Sequence, residues 1–440
     1  MDSQHKAIFS PNWLIKSVRR EVVFIFVLAL LIRTVFLFSW MIPTEYILPE
    51  TVGEIGRVGQ NLALTGNYAD PYLVPSGPTA HPLPLFTGLL ALIYKLFGVT
   101  LTAGYIRCFL CITSYSAMYA MLPWFAAQIG LERKAGFLGG LVGALVVPLG
   151  TAEVIGWTAN EPITAILLGG LLIGFFRRWE KTQYGKIGVF PLGLIFGLAF
   201  HFSPALLTVL VGLILFELYW RRDSGKWVSV LILLLGITLA CIPWNWRNIT
   251  TFQEFFFLRS NFGLELRLGN HAGAEADMDR MDVREGKGMR HPSNNRGEAL
   301  RVRELGEIVY MRQARQEALQ WIKDYPVEFI RLTLLRMLYF WFGSWYDPVL
   351  SSGISLLMVL AFLGGWRSVR QLTIPARAVL LIPLVTYPLT YYLVPYMMRY
   401  TVPVLWMVLL LVGVEMNSLI GKDIFKKQKP VRKLTGLFIG

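Results

Sequence analysis

The stretch Glu50-Thr51-Val52-Gly53-Glu54-Ile55-Gly56-Arg57-Val58-Gly59-Gln60-Asn61-Leu62 decides how this chain is read; it lies in a polar segment, Thr44 to Pro82, between two apolar runs. At helical spacing Glu50, Glu54, Arg57 and Asn61 share one face, and Val52, Ile55, Val58 and Leu62 share another. A carboxylate and a guanidinium on one face, at the rim of a membrane domain, have the makings of a site. The same residues also fit a plain helix start: Thr51 and Glu54 have capping-box spacing, and surface helices commonly carry such charges. The local pattern leaves both readings open.

Composition sets the surroundings. A soluble chain of 440 residues would split into about two or three domains. Here 55% of residues are apolar, 16% are charged and 14% are aromatic. Several apolar runs reach or approach the ~20 residues that cross ~30 Å of hydrocarbon. The net charge of +14 is placed in short clusters between those runs, among them Lys16, Arg19 and Arg20; Arg177, Arg178 and Lys181; and Arg367, Arg370 and Arg377. Cytoplasmic loops concentrate Lys and Arg in this way, so the charge reports topology and not nucleic acid. Cys108, Cys111 and Cys241 all lie in apolar runs, with neither a disulfide framework nor metal-site spacing. The first run, Val22 to Ile42, is too long for a signal-peptide core and lacks a small-residue cleavage site, so it reads as a retained anchor.

The first span emerges near Pro43 and places the Glu50–Asn61 helix outside. Pro84 to Phe97 is apolar, but at ~21 Å as a helix it is too short to cross, and it reads as interfacial or re-entrant. Further spans follow near 104–127, 135–152, 161–176, 187–201, 203–220, 227–246, 350–366, 375–393 and 400–418, which makes about ten with both termini cytoplasmic. Three parts result: 1–246, a transmembrane module holding the first outer loop (44–103); 247–345, an extracytoplasmic insertion; and 346–440, the last spans with a basic tail. In the insertion Leu305, Ile308, Met311, Ala318 and Ile322 mark one amphipathic helix ended by Asp324-Tyr325-Pro326, and Glu328 to Trp345 reads as an outer interfacial helix. The fold class expected is an all-α polytopic membrane bundle with a mostly α outer insertion.

Several residues stand out for chemistry. Arg33 sits mid-span, where a charge costs at least a few kcal/mol, so it needs an interior partner such as Glu153 or Glu161. Glu161-Pro162 also fits a helix start. His81, before Pro82, reads as structural, exposed or phosphate-facing. Arg247 in Pro243-Trp244-Asn245-Trp246-Arg247-Asn248 and Arg399 in Met398-Arg399-Tyr400 end spans on the outer side. They fit snorkelling anchors, or a clamp in which guanidinium groups grip a phosphate bidentately. Asp277, Asp279 and Asp282 have the type of a metal cluster but the setting of a solvated loop. Nucleotide-sugar, Walker, zinc and Ser-His-Asp motifs are absent, so an enzyme of this kind takes a substrate delivered from the bilayer.

Four strings carry a family resemblance, EIGRVGQNLALTGNYADPY (54–72), GPTAHPLPLFTGLLALIYKLFG (77–98), PWNWRN (243–248) and MMRYTVP (397–403), while RSNFGLELRLGN (259–270) with HPSNNRGEALRVRELGEIVYMRQA (291–314) resembles one bacterial branch with no assigned acceptor. With the acidic first outer loop, they resemble the GT-C fold glycosyltransferases that use polyprenyl-phosphate sugars, such as protein O-mannosyltransferases and lipid A aminoarabinose transferases. The resemblance implies an inverting transfer onto a glycolipid, glycan or protein acceptor, at the outer face of a bacterial inner membrane. It implies a base in the first outer loop, Glu54 first and Glu50 second. His81 takes the place of the family's phosphate-binding Lys before the same Pro, and Arg247 and Arg399 match its positively charged span ends. Arg57 would keep Glu54 ionised, with Asn61 and Arg33 also on the substrate side. No cofactor is indicated; a divalent metal is compatible with the reading but not indicated. The family's acids are adjacent, whereas here they are four residues apart. Two rival readings remain, a flippase for a lipid-linked saccharide, suggested by Arg33 and the His201–Pro204 break, and a non-catalytic envelope-assembly protein.

Overall fold

Each of the ten expected spans has a helix in the computed structural model, which describes residues 11–39, 44–49, 53–146, 159–180, 188–223, 225–280 and 290–427. In the transmembrane part before the insertion these are α1 (Pro11–Leu37), α4 (Leu101–Ala120) continued by α5 (Leu122–Ile129), α6 (Arg133–Leu145), α7 (Asn160–Glu180), α8 (Val189–Phe200), α9 (Leu206–Trp220) and α10 (Lys226–Phe252). Between α1 and α4 lie α2 (Gly53–Thr65) and α3 (Pro84–Phe97). The insertion supplies α11 (Phe262–Gly269), α12 (Arg296–Leu305), α13 (Glu307–Asp324) and α14 (Pro326–Phe342). The chain then returns through α15 (Pro348–Gln371), α16 (Ile374–Thr386) and α17 (Val402–Lys427). Five of the helical stretches are long and apolar enough to cross a membrane, and four shorter apolar helices stand beside them, so the chain is a multi-pass membrane protein.

Local chemistry fixes many of the boundaries. Asp347 and Thr373 cap α15 and α16 by accepting from Leu350 N and Ala376 N, each with a proline in the first turn. Helix α3 begins on Pro84 and stops at Gly98, whose φ is 69°. The bundle closes where small residues let backbones touch. A Cβ on Gly139 would fall 2.3 Å from Leu409 O, and one on Gly413 would fall 2.0 Å from Ala135 O, so α6 and α17 meet without side chains between them. Helix α15 lies at the edge, with Leu356, Val359 and Phe362 exposed as a lipid-facing surface requires.

One expectation changes, and a second residue finds backbone partners. The helix expected through Leu305 and Ile308 is two helices, because Gly306 turns the chain with φ 78° between α12 and α13. Arg33 is 2% exposed, and its guanidinium donates to Gly143 O (3.0 Å) and Ala144 O (3.1 Å). Those carbonyls end α6, where a helix lacks its own donors and carries negative potential. The charge in mid-span is therefore used by a helix terminus, with the Tyr119 ring 4.9 Å from the guanidinium carbon. Glu153, one of its two expected partners, lies outside the described residues, as do Glu50 and Thr51.

Candidate active site

Helix α2 packs along α3, with Gly56, Val58 and Gly59 buried, and this turns its first-turn residue Glu54 toward the insertion. The loop after α2 is folded back by Asp70, which sits at φ 60°. Its Oδ1 accepts from Ser76 N and Gly77 N (both 2.8 Å), and its Oδ2 accepts from Asn61 Nδ2 at 3.0 Å. Asn61 thus serves the loop, where the sequence reading had placed it on the substrate side. Arg57 lines the cavity described below and also ties the loop, donating from Nη1 to Pro71 O at 3.2 Å.

The loop delivers His81, which is 4% exposed. Three partners hold it. Tyr72 Oη stands 3.0 Å from its Nδ1, its backbone N–H donates to Thr79 Oγ1, and Arg259 Nε donates to its carbonyl at 2.7 Å. Glu307, buried at the start of α13, accepts from Thr79 Oγ1, from Ala80 N (2.7 Å) and from Ser260 Oγ (2.6 Å). One carboxyl from the insertion therefore joins the first outer loop to the segment carrying Arg259. Burial pushes the Glu307 carboxyl above its usual range against the pull of those donors and Arg247.

Arg247 completes this knot. Its Nη1 donates to Thr79 O (2.8 Å) and its Nη2 to Tyr68 O (3.1 Å), and its guanidinium stands 5.0 Å from the Trp244 ring centre. It is committed to backbone carbonyls and is not among the residues lining the cavity. Arg399 does line it, 5.4 Å from the Tyr400 ring centre, and its buried Nε has no hydrogen-bond partner among the described residues. Arg259, which donates to the His81 carbonyl, lines the cavity as well, where a clamp of Arg247 with Arg399 was expected.

The cavity, about 560 Å³, is bounded by the start of α2, residues 81–83, the start of α7, residues 202–205, the insertion and residues 387–403. On one wall Ser293 Oγ donates to Glu54 Oε1, and His291 Nδ1 lies 3.5 Å from the same oxygen while accepting from Ser293 N (3.1 Å). Another wall presents Glu161, Tyr391 and Tyr400, with the two tyrosine rings stacked at 4.4 Å. Burial alone would raise the Glu54 carboxyl. His291, His81 and the Ser293 hydroxyl outweigh it and hold the pKa at about 2. Arg57, given this task by the sequence reading, instead ties the loop at Pro71 O. Burial also drives His81 down to about 3, so at neutral pH an ionised Glu54 faces a neutral His81. Ligand atoms of Glu54, His81 and His291 all lie within 4.8 Å of one another, a group able to hold a metal ion.

Sequence reasoning passed over Arg259, His291 and Ser293. The strings containing them were noted, but no spacing ties residues some 200 positions apart. Asp279 lines the cavity, Asp277 is buried and accepts from Asp279 N (2.8 Å), and Asp282 lies outside the described residues. The backbone beside Asp277 pairs with Tyr396 (Tyr396 N to Ala276 O 2.8 Å; Met278 N to Tyr396 O 3.1 Å), which ties the insertion to the segment carrying Arg399.

No protein-family model and no curated protein sequence matches the chain. Among solved structures it is similar to the archaeal oligosaccharyltransferase AglB from Archaeoglobus fulgidus, in complex with an inhibitory peptide and a dolichol-phosphate. That match has a TM-score of 0.53 and 12% identity over 92% of this chain and 51% of AglB. The chain thus spans about half the length of AglB. A looser similarity is to ArnT from Cupriavidus metallidurans bound to undecaprenyl phosphate, with a TM-score of 0.38 and 14% identity over 96% of this chain and 82% of ArnT. The helical bundle with its α-helical insertion has a GT-C-like fold.

Proposed function

We propose that the chain is an integral-membrane glycosyltransferase that moves a sugar from a polyprenyl-phosphate carrier to an acceptor hydroxyl, with inversion, at the outer face of the membrane. The observation that carries this reading is the placing of an ionised carboxylate, Glu54, on the same cavity as two guanidinium groups, Arg259 and Arg399. An acceptor oxygen attacks the anomeric carbon as its bond to the carrier phosphate breaks, and the phosphate leaves with the electron pair. Glu54 takes the acceptor's proton. A carboxylate with a pKa of about 2 is a weak base, so it takes that proton late, once the new C–O bond has acidified the hydroxyl. Arg259 and Arg399 meet the charge growing on the departing phosphate, where fixed donors in a cavity act without reorganising. The dolichol-phosphate bound by AglB supports the carrier class.

The flippase alternative leaned on Arg33, and the use of that charge by the end of α6 removes its main support. Lys and Arg between the spans favour both termini being cytoplasmic, and the family resemblance favours a bacterial inner membrane. Glycolipid and glycoprotein profiles of cells with and without the gene test the reading. One sugar-bearing species should disappear, its unmodified acceptor should accumulate, and identical profiles would contradict it.

A further inference from the structure

We propose that Arg336 is a positioning residue for the carrier: through the end of α11 it sets where residues 393–400, and with them Arg399, stand on the cavity wall. Arg336 lies on α14 and is 1% exposed. Its Nη2 donates to Gly269 O and its Nη1 to Asn270 Oδ1 at 3.4 Å, and no carboxylate among the described residues pairs with it. Its buried Nε has no hydrogen-bond partner among them either. Burial lowers its pKa only to about 10, so it is charged at neutral pH. A buried unpaired cation is costly, and an apolar side chain of similar volume avoids that cost. The end of a short helix does not account for it, because water or one neutral donor serves a helix terminus as well.

The contacts beyond α11 account for it. Asn270, the residue after α11, donates from Nδ2 to Leu393 O at 2.9 Å while its Oδ1 faces Arg336. A Cβ on Gly269 would fall 2.9 Å from Pro395 Cδ and 3.1 Å from Arg336 Nη2, so the guanidinium, the end of α11 and Pro395 meet without room for a side chain. Helix α14 grips the same stretch with two more residues. Trp341 Nε1 donates to Tyr392 Oη at 3.0 Å, and the Tyr339 ring packs edge-on against Tyr396 at 6.1 Å. Arg399 follows Tyr396 by three residues, in the 3₁₀ helix Met398–Thr401. With its Nε unpartnered among the described residues, the backbone that carries it does most to place its charge. A residue that grips a phosphate needs rigid support of this kind.

This inference rests on the reading of Arg399 as a phosphate contact, and its test separates the two. Full-length protein in detergent is titrated with undecaprenyl phosphate, and amide hydrogen exchange of residues 391–401 is followed without lipid. Arg336→Met should weaken lipid binding by ~10-fold or more, as Arg399→Ala should, and it should speed exchange across 391–401. Asn270→Ala breaks the same link without removing a charge and should act alike, which covers the case in which Arg336→Met fails to fold. The double variant Arg336→Met with Arg399→Ala should bind no more weakly than Arg399→Ala alone, because the first change acts through the second residue. Arg336→Lys, still able to donate to Gly269 O, should recover part of both effects. Arg331→Gln, on the exposed side of α14, should match wild type in both. Exchange at the wild-type rate in Arg336→Met and Asn270→Ala, or losses of affinity that add in the double variant, would overturn the inference. Wild-type affinity in Arg399→Ala, with 391–401 still loosened by Arg336→Met, would sink the phosphate contact and leave the placement standing.

Discussion

The contact most open to test is the Glu307 knot, where one carboxyl from α13 accepts three hydrogen bonds from the two segments that position His81 and Arg259. In Glu307→Gln the amide oxygen can keep Ala80 N and Ser260 Oγ. The amide nitrogen then faces Thr79 Oγ1, which loses its acceptor while still receiving the His81 N–H. One hydrogen bond is lost, worth ~1–3 kcal/mol. In Glu307→Ala all three donors lose their acceptor, and the Ala80 N–H is left buried. The cost is then ~1–3 kcal/mol for each unsatisfied group, several kcal/mol together. Thermal unfolding in detergent should therefore fall in the order wild type, Gln, Ala. Protease cleavage within 66–83 should become faster in the same order, because the knot holds that loop. An alanine variant as stable and as protected as wild type would refute the reasoning.

Three other outcomes follow. Arg399→Ala and Arg259→Ala should weaken binding of a polyprenyl-phosphate, each removing a charge-assisted bond worth ~1.5–3 kcal/mol; Arg247→Ala should lower stability more than affinity, and the reverse pattern in a lipid-binding assay would return Arg247 to the clamp. Acid should destabilise the protein. His81 is held near 3 against an ordinary 6.5, so stability falls as pH drops through 6.5, and Glu54, held near 2 against 4.5, adds a second loss below 4.5; His81→Asn should flatten the unfolding profile between about 6.5 and 4.5, and an unchanged profile would count against a buried neutral imidazole. Reporter fusions after Lys134, Arg178, Arg222 and Arg370 should report cytoplasm, and fusions within Ala272–Arg296 the outer side; a cytoplasmic signal from the insertion would overturn the topology.

What the sequence made legible was set by the range of each signal. Hydrophobic run length and Lys/Arg placement are local, and they located a helix for each of the ten spans; Pro84 and Gly98 set the ends of α3. Gly306 was visible too, but the apolar spacing on either side of it concealed the break. The first outer loop pointed to Glu54 and His81, which line the cavity. The partners of Glu54 were not legible, because His291 and Ser293 reach it across more than 230 residues through the folded insertion. Arg247 misled for a related reason. A guanidinium at a span end looks the same in sequence whether it faces a phosphate or two backbone carbonyls.

The central claim is that Glu54 takes the proton in a sugar transfer, and one measurement bears on it most directly. Purified wild type and Glu54→Gln are supplied with a polyprenyl-phosphate sugar and the acceptor found by profiling, and transfer and carrier binding are read in the same samples. The amide keeps the size of the side chain and can still accept from Ser293, but it cannot take a proton. Transfer should fall by at least ~10²-fold, with carrier binding close to wild type. Near-normal transfer by Glu54→Gln would contradict the account.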